Sequence, residues 1–364
     1  MSQWNKEHLC KVGLTVFSGN CEDGGSMQPE SLLGADLQLL NQDRLGVLEE
    51  SRAPLTLKAY KLAFCKWEAW AALYPEVQAL PAAPLHVGLY LTHISKNDIT
   101  YSVINTACAA IAWAHKIAGH ASPLADVQLG EVLEGLKRRL AKPRAPKEPF
   151  ELSHMHLLFD LMDIDSLTDV RNTLLIILSF YAFLRVSELL SITWSDLEIS
   201  QNHIKINIQQ SKADQLREGN DVVVSRISGA FCPVKLMETY ISMSGKCWAE
   251  NDFLFCRVFI SNGKQFLQKT KKMSYSNVID IVKRKSDAIG LDSKEYSTHS
   301  MRAGGATLAA NSGVLDRLFQ RHGRWKSVQS KNAYIKDSLE SRLKVSRLMQ
   351  YVNAMHKIAM YIGA

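Results

Sequence analysis

The sequence contains no cysteine pair at metal-ligand spacing. Its seven cysteines (Cys10, Cys21, Cys65, Cys108, Cys232, Cys247 and Cys256) are odd in number and form no CxxC. That excludes the usual zinc signatures, so no metal is expected, and scattered thiols suit an intracellular compartment that keeps them reduced. Long hydrophobic runs are also missing. The longest apolar stretch, Thr173 to Leu184, carries Ser179 and Tyr181; it is too short to cross a bilayer and reads as a buried helix, so no membrane partner is expected. No basic region followed by an apolar run marks a secretory signal. Strong charge of one sign is absent too: 43 basic and 36 acidic residues leave a formal +7. Such an excess permits nucleic-acid binding without demanding it, and suits a slightly basic cytosolic protein equally well.

What is present fits a soluble globular protein of two domains: 364 residues, 46% hydrophobic and 22% charged. Residues 1–50 are polar and Gly/Ser-bearing, with one Leu-rich stretch from Leu32 to Leu48. They are expected to form a largely disordered leader with room for one short helix. From Pro54, Leu57, Tyr60, Ala63, Phe64, Trp67 and Trp70 recur at three- and four-residue steps, the spacing of an amphipathic helix. Leu85–Ile94, Ile104–Ile117 and a stretch ending at Leu140 repeat that pattern, so residues 51–140 read as a small all-α domain.

A basic stretch follows. Lys137, Arg138, Arg139, Lys142, Arg144 and Lys147 supply six of the eleven residues from 137 to 147, and Pro143 and Pro146 hold the second half extended. Alone it reads as a solvated linker (141–149), with an import signal or a strap on a phosphate backbone as alternatives. Beyond Pro149, Ser153 is expected to cap a helix through Met162, and Asp169 a longer apolar helix carrying Arg185 near its end. Alternation in 196–199, 203–208 and 221–227, with Gly219-Asn220 in the turn, predicts a small antiparallel sheet. Helices are expected over 233–242, 274–289, 300–312, 314–321 and from Tyr334 onward.

Six residues of this second region form a chemical set. Arg185 and Arg302 can each present a planar fork to phosphate oxygens. His299, one turn before Arg302, can act as a base or donor. The Trp325 indole N–H donates and cannot accept, which suits an anionic oxygen. Lys212, in an expected hairpin turn, can protonate a leaving alkoxide, and Tyr334 can attack phosphorus. Each residue alone has a plainer explanation. Arg185 with Glu188 three residues on is an ordinary helix-surface ion pair, a lone HxxR is common, and Trp325 and Tyr334 could be core or surface aromatics. Their joint order and spacing point to metal-free attack on a phosphodiester, with no cofactor.

The residues Leu184-Arg185-Val186-Ser187-Glu188-Leu189, Ser211-Lys212-Ala213-Asp214-Gln215, His299-Ser300-Met301-Arg302 and His322-Gly323-Arg324-Trp325-Lys326-Ser327 through Ala333-Tyr334-Ile335 resemble the tyrosine recombinases, the family of phage integrases, Cre and the Xer proteins. The resemblance covers about residues 50 to 355. Most relatives place His where Trp325 stands, while Cre-like members use Trp; His322 competes for that role, but the nine-residue step to Tyr334 favours Trp325. The Gly-Arg-Trp-Lys-Ser wording also looks like recombinases of eukaryotic DIRS-like and crypton-like mobile elements.

That resemblance implies a mainly α protein. A helical, SAM-like core-binding domain would precede a mixed α/β, mostly helical catalytic domain at 150–355 with a small antiparallel sheet, and a tail at 356–364. The two domains would clamp a DNA duplex like a C, with the basic stretch crossing the backbone. It implies Arg185, Lys212, His299, Arg302, Trp325 and Tyr334 as catalytic residues, with Glu188 supporting them. It also implies double-stranded DNA as partner, a tetramer on that DNA, and two transesterifications through a 3′-phosphotyrosyl link. Location would be nuclear if the source is eukaryotic and cytoplasmic otherwise. Two alternatives stand beside site-specific recombination: a type IB topoisomerase, which shares the chemistry but relaxes supercoils, and a domesticated DNA-binding protein that no longer cuts.

Overall fold

The computed structural model describes residues 35–142, 146–209, 220–229, 231–245 and 247–349. It divides into two compact units, with the division at Arg144/Ala145. Helices are the only regular elements among the first unit's described residues: α1 (Ala35–Glu50), α2 (Pro54–Ala71), α3 (Pro84–Ile94), α4 (Tyr101–Ile117) and α5 (Val127–Arg139). Helix α1 occupies the last part of the expected leader, and residues 1–34 of that leader lie outside the described residues. Proline at the first turn starts α2 and α3, where its missing N–H costs nothing. Asp126 starts α5 by accepting from the Leu129 N–H at 2.8 Å. Phe64, Trp67, Val87, Leu91, Ile104, Ile111, Leu129 and Leu136 form the core. Buried His115 belongs to that core as a satisfied side chain. Its Nε2 accepts from the Ala82 N–H at 2.8 Å and its Nδ1 faces the Ile111 carbonyl at 2.7 Å, so the proton sits on Nδ1.

The second unit is built on α7. Its order is α6 (Leu152–Asp160), α7 (Leu167–Tyr181), α8 (Val186–Leu189), β1 (Leu197–Ile199), β2 (His203–Ile208), β3 (Asn220–Ser225), α9 (Pro233–Ser244), β4 (Cys256–Ser261), β5 (Lys264–Lys272), α10 (Tyr275–Ala288), α11 (Thr298–Asn311), α12 (Asp316–Gly323) and α13 (Val328–Asn332), followed by a helix at 339–349. Every residue of α7 from Val170 to Phe180 is buried, so this helix is the interior against which the others pack. Strands β1, β2 and β3 form an antiparallel sheet in that order. Pairing of Ile204 with Val224 and Ile206 with Val222 puts one face of it into the core.

Three expectations about elements need correction, and one element is new. The cap of α6 is Glu151, not Ser153. Ser166, not Asp169, caps α7, its hydroxyl accepting from the Asp169 N–H at 3.3 Å; Asp169 instead pairs with Lys285 at 2.6 Å. A second antiparallel hairpin, β4–β5, was not foreseen. Its turn places Asn262 and Gly263 at φ 50 and 72, the left-handed pair that a two-residue hairpin requires. Finally, Tyr334 does not open a helix. It follows α13 in a turn, its N–H donating to the Lys331 carbonyl at 3.1 Å.

Helix α11 approaches its neighbours closely at two glycines, Gly304 against Phe150 before α6 and Gly305 against the end of α7. A Cβ on Gly304 would lie 2.0 Å from the Phe150 carbonyl oxygen, and one on Gly305 1.9 Å from that of Phe180. Only the lack of side chains allows this approach, and it seats the first turn of α11 beside the end of α7.

Candidate active site

The site begins where α7 stops. Phe183 adopts φ 48, which turns the chain after Tyr181, so Arg185 lies beyond the apolar helix and caps α8 instead of riding on α7. That corrects the expected position. The bend is tied to α7 twice: the Leu184 N–H donates to the Ser179 carbonyl at 3.1 Å, and the Ser179 hydroxyl donates to the Leu184 carbonyl at 3.0 Å.

The bend brings Glu188 under Arg185. The Arg185 Nη1 lies 2.6 Å from Glu188 Oε1, and the Arg185 backbone N–H donates to Oε2 at 2.9 Å. Glu188 is 1% exposed, so this is not the surface pair the spacing suggested. Burial opposes its ionisation. The neighbouring Arg324, the Arg185 N–H, Arg185 and Arg302 outweigh that and hold its carboxyl below the usual range.

Arg302 comes from α11, whose N-cap Ser297 accepts from the His299 N–H at 3.2 Å. Its guanidinium is wholly buried. Nη1 donates to the Phe183 carbonyl, and Nη2 donates to the Gly323 carbonyl at 2.6 Å. Glu188 Oε2 stands 3.8 Å from Nη1. Burial first, then the like charge of Arg185, lower the Arg302 pKa to about 9, with Glu188 opposing. The rings of Trp325 and Tyr334 each centre 4.9 Å from its Cζ, the distance of a cation–π contact.

Trp325 and Tyr334 complete the cluster. The Trp325 and Tyr334 rings are 5.8 Å apart, and His299 and Tyr334 6.4 Å. His299 is exposed and Tyr334 half-buried. The Tyr334 segment is anchored to α11 through Thr307, whose hydroxyl donates to the Tyr334 carbonyl at 3.2 Å and accepts from the Lys336 N–H at 3.1 Å. Three buried donors in this cluster, Arg302 Nε, Arg324 Nε and Trp325 Nε1, have no hydrogen-bond partner among the described residues; the first and last belong to groups expected to meet the phosphate. A buried donor left in that state is costly.

Of the expected site residues, the structure thus brings Arg185, Glu188, His299, Arg302, Trp325 and Tyr334 together. Lys212 lies outside the described residues, as does Arg144. Lys137, Arg138, Arg139, Lys142 and Lys147 are exposed; Lys137 pairs with Glu134 at 3.3 Å and Lys142 with Asp98 at 2.6 Å, while Lys147 donates to the Lys294 carbonyl. His322 is engaged elsewhere. Its Nε2 meets the Tyr181 carbonyl at 2.8 Å and its ring packs 4.6 Å from Phe183, and burial lowers its pKa. It lines an apolar cavity of about 370 Å³ with Phe183, Leu308, Leu318 and Phe319.

Arg324 was missed. It is 7% exposed, and its Nη2 lies 2.8 Å from Glu188 Oε2. Its backbone is left-handed, φ 54, which costs a side-chain-bearing residue ~1–2 kcal/mol. Hydrogen bonds to a charged partner contribute about 1.5–3 kcal/mol each, so the Glu188 contact alone can hold that conformation. Nothing in the sequence signals this role, because it depends on where the Phe183 bend puts Glu188.

Among the described residues no group of three or more His, Cys, Asp or Glu side chains is placed to hold a metal ion, and no helix is long and apolar enough to cross a membrane.

The chain is similar to known proteins over most of its length. The chain is 27% identical over 320 residues to an integrase/recombinase xerD homolog of Selenomonas ruminantium, covering 84% of this chain and 89% of that one. It is 25% identical over 289 residues to the recombinase Cre of Escherichia phage P1, covering 76% and 82%. Its fold is similar to that of the XerH site-specific recombinase bound to a palindromic difH substrate, with a TM-score of 0.58, 15% identity and 93% of each chain covered. Residues 153–340, over half of the sequence, match the phage integrase family. The chain belongs to that family, and is a tyrosine recombinase.

Proposed function

We propose that this protein cuts and rejoins double-stranded DNA at specific sites, with Tyr334 as the nucleophile. The phenolic oxygen forms a bond to the scissile phosphorus, and the bond from phosphorus to the 5′-oxygen breaks. The phenolic proton passes to His299, and the departing 5′-oxygen takes one from Lys212. A 5′-hydroxyl of the partner strand then attacks the 3′-phosphotyrosyl link and releases Tyr334. Arg185 and Arg302 neutralise charge on the non-bridging oxygens, and the Trp325 indole N–H adds a donor that cannot repel them. Movement of the phenol off the Arg302 face opens that guanidinium to the phosphate. One ester is exchanged for another at each step, so the balance needs no cofactor.

The observation that carries this reading is the approach of the Tyr334 ring to within 4.9 Å of the Arg302 guanidinium, with Trp325 at the same distance. The helical first unit acts as the core-binding domain, and the exposed basic residues from Lys137 to Lys147 contact the phosphate backbone beside it. The Gly-Arg-Trp-Lys-Ser wording at 323–327 accords with an origin in a mobile element, and the working assembly is a tetramer on DNA. The test is covalent trapping. The protein is incubated with a randomised pool of nicked suicide duplexes, and DNA that survives denaturant on the protein is sequenced. The wild type retains a defined sequence and Tyr334→Phe retains none while still binding duplex; an adduct of equal yield in Tyr334→Phe would remove the proposed nucleophile.

A further inference from the structure

Arg324 makes no hydrogen bond to His299 or Tyr334, yet it is the most heavily bonded guanidinium of the cluster among the described residues. Its Nη2 donates to Glu188 Oε2 at 2.8 Å and to the Phe183 carbonyl at 3.0 Å. Its Nη1 donates to the His322 carbonyl at 2.9 Å and to the Ala182 carbonyl at 3.3 Å. Each acceptor sits on a segment that presents a proposed catalytic group. Ala182 and Phe183 form the bend before Arg185. The Phe183 carbonyl also takes Arg302, and Glu188 takes Arg185. His322 precedes the turn that presents Trp325.

The division of the carboxylate is informative. Oε1 is taken by Arg185 at 2.6 Å, and Oε2 by the Arg185 N–H at 2.9 Å and Arg324 at 2.8 Å, leaving Arg302 at 3.8 Å. A buried carboxylate binds the cations it can reach through short charged contacts. With Arg324 removed, Oε2 becomes open to Arg302 and would draw its fork toward α8. The left-handed backbone at Arg324 is one that glycine would adopt without strain. Its backbone N–H closes α12 by donating to the Arg321 carbonyl at 3.0 Å, and the side-chain contacts add to that hold.

We propose that Arg324 is a positioning residue: by occupying Glu188 Oε2 and clamping the 182–183 bend, it keeps Arg302 off the carboxylate and spaces the Arg185 and Arg302 guanidiniums around one phosphate. This rests on reading the Arg185, Arg302 and Tyr334 cluster as the cleavage site.

The full-length protein is assayed on the nicked duplex recovered by trapping. Arg324→Gly removes the side chain and keeps the backbone geometry. It is expected to slow adduct formation at saturating protein by ~10–100-fold, the scale of an ångström-sized misplacement. The protein concentration giving half-maximal rate should stay within about threefold, since Arg324 contributes no contact to DNA. Glu188→Gln should slow the reaction too, and the double variant should be no slower than about the worse single one, because both changes act through one contact. A wild-type rate in Arg324→Gly, a loss confined to half-saturation, or losses that multiply in the double variant would each overturn the proposal. Should Arg324→Gly melt below the assay temperature, Arg324→Lys decides. A single ammonium cannot span all four acceptors, so a slowed reaction at unchanged half-saturation supports the role and a wild-type rate refutes it. Tyr334→Phe runs in parallel: an adduct there discards the cleavage site and the inference with it, whereas none there, with Arg324→Gly at full speed, discards the Arg324 role alone.

Discussion

A carboxylate buried among three guanidiniums is the most consequential single residue of this molecule. Glu188 is 1% exposed and faces Arg185 at 2.6 Å, Arg324 at 2.8 Å and Arg302 at 3.8 Å. Removing one partner of such a cluster leaves charge buried without compensation. Glu188→Ala is therefore expected to destabilise the second unit by about 3–5 kcal/mol, read as a shift in denaturant midpoint at neutral pH. The sign of its pH dependence follows from the depressed carboxyl. A folded-state pKa below the unfolded value, about 4.3 for Glu, contributes stability that is fully present above that value. It is lost as pH falls through the folded pKa. The penalty of Glu188→Ala should accordingly be constant from pH 7 to 5 and shrink on further acidification; a penalty that grew toward acid would contradict the assignment. The sequence showed Arg185 and Glu188 three apart, which alone reads as a surface ion pair, while the family resemblance implied Glu188 as a support of the site. Their burial was hidden because it depends on the left-handed turn at Phe183, which an L-residue rarely supplies and no spacing rule announces. Arg324 was hidden for the same reason.

At the scale of elements, periodicity carried far. The recurrence from Leu57 to Trp70 is α2, the stretch from Thr173 is buried in α7, and the alternation around Ile204 and Val222 is β2 and β3. Boundaries were less legible because several polar residues near a helix start can serve as its cap: at α7 Ser166 takes the Asp169 N–H, while the Asp169 carboxylate takes the Asp163 N–H and Lys285. The β4–β5 hairpin was readable in principle from Asn262-Gly263 between strand-forming residues; the many lysines of β5, sparse formers of buried strands, obscured it. The end of α5 and the stretch after it carry a prediction of their own. Lys137, Arg138 and Arg139 are exposed in the last turn of α5, where cations also favour the helix dipole. Replacing all three with Gln should weaken DNA binding for every sequence alike. The slope of log affinity against log salt should flatten by up to about 0.9 for each phosphate that is no longer neutralised. An altered target preference at unchanged slope would show that they do not lie on the backbone.

The whole molecule joins residues separated by most of the second unit. Arg185 follows α7, His299 and Arg302 open α11, Trp325 follows α12 and Tyr334 follows α13, yet their side chains form one cluster. Order and spacing were enough to recognise that set, since the chemistry of phosphodiester attack limits which groups can share a site. The distances within the cluster were not in the sequence. They arise from glycines at 304 and 305 that let α11 reach Phe150 and α7, and from the Thr307 anchor that holds the Tyr334 segment. The central claim is that the phenolic oxygen of Tyr334 becomes bonded to DNA phosphorus. The most direct measurement digests the trapped protein–DNA adduct with protease and nuclease and identifies, by mass spectrometry, the peptide that keeps a nucleotide. The peptide spanning Lys331 to Lys336 should carry it on Tyr334; a nucleotide on Tyr351 or on any other residue would contradict the account.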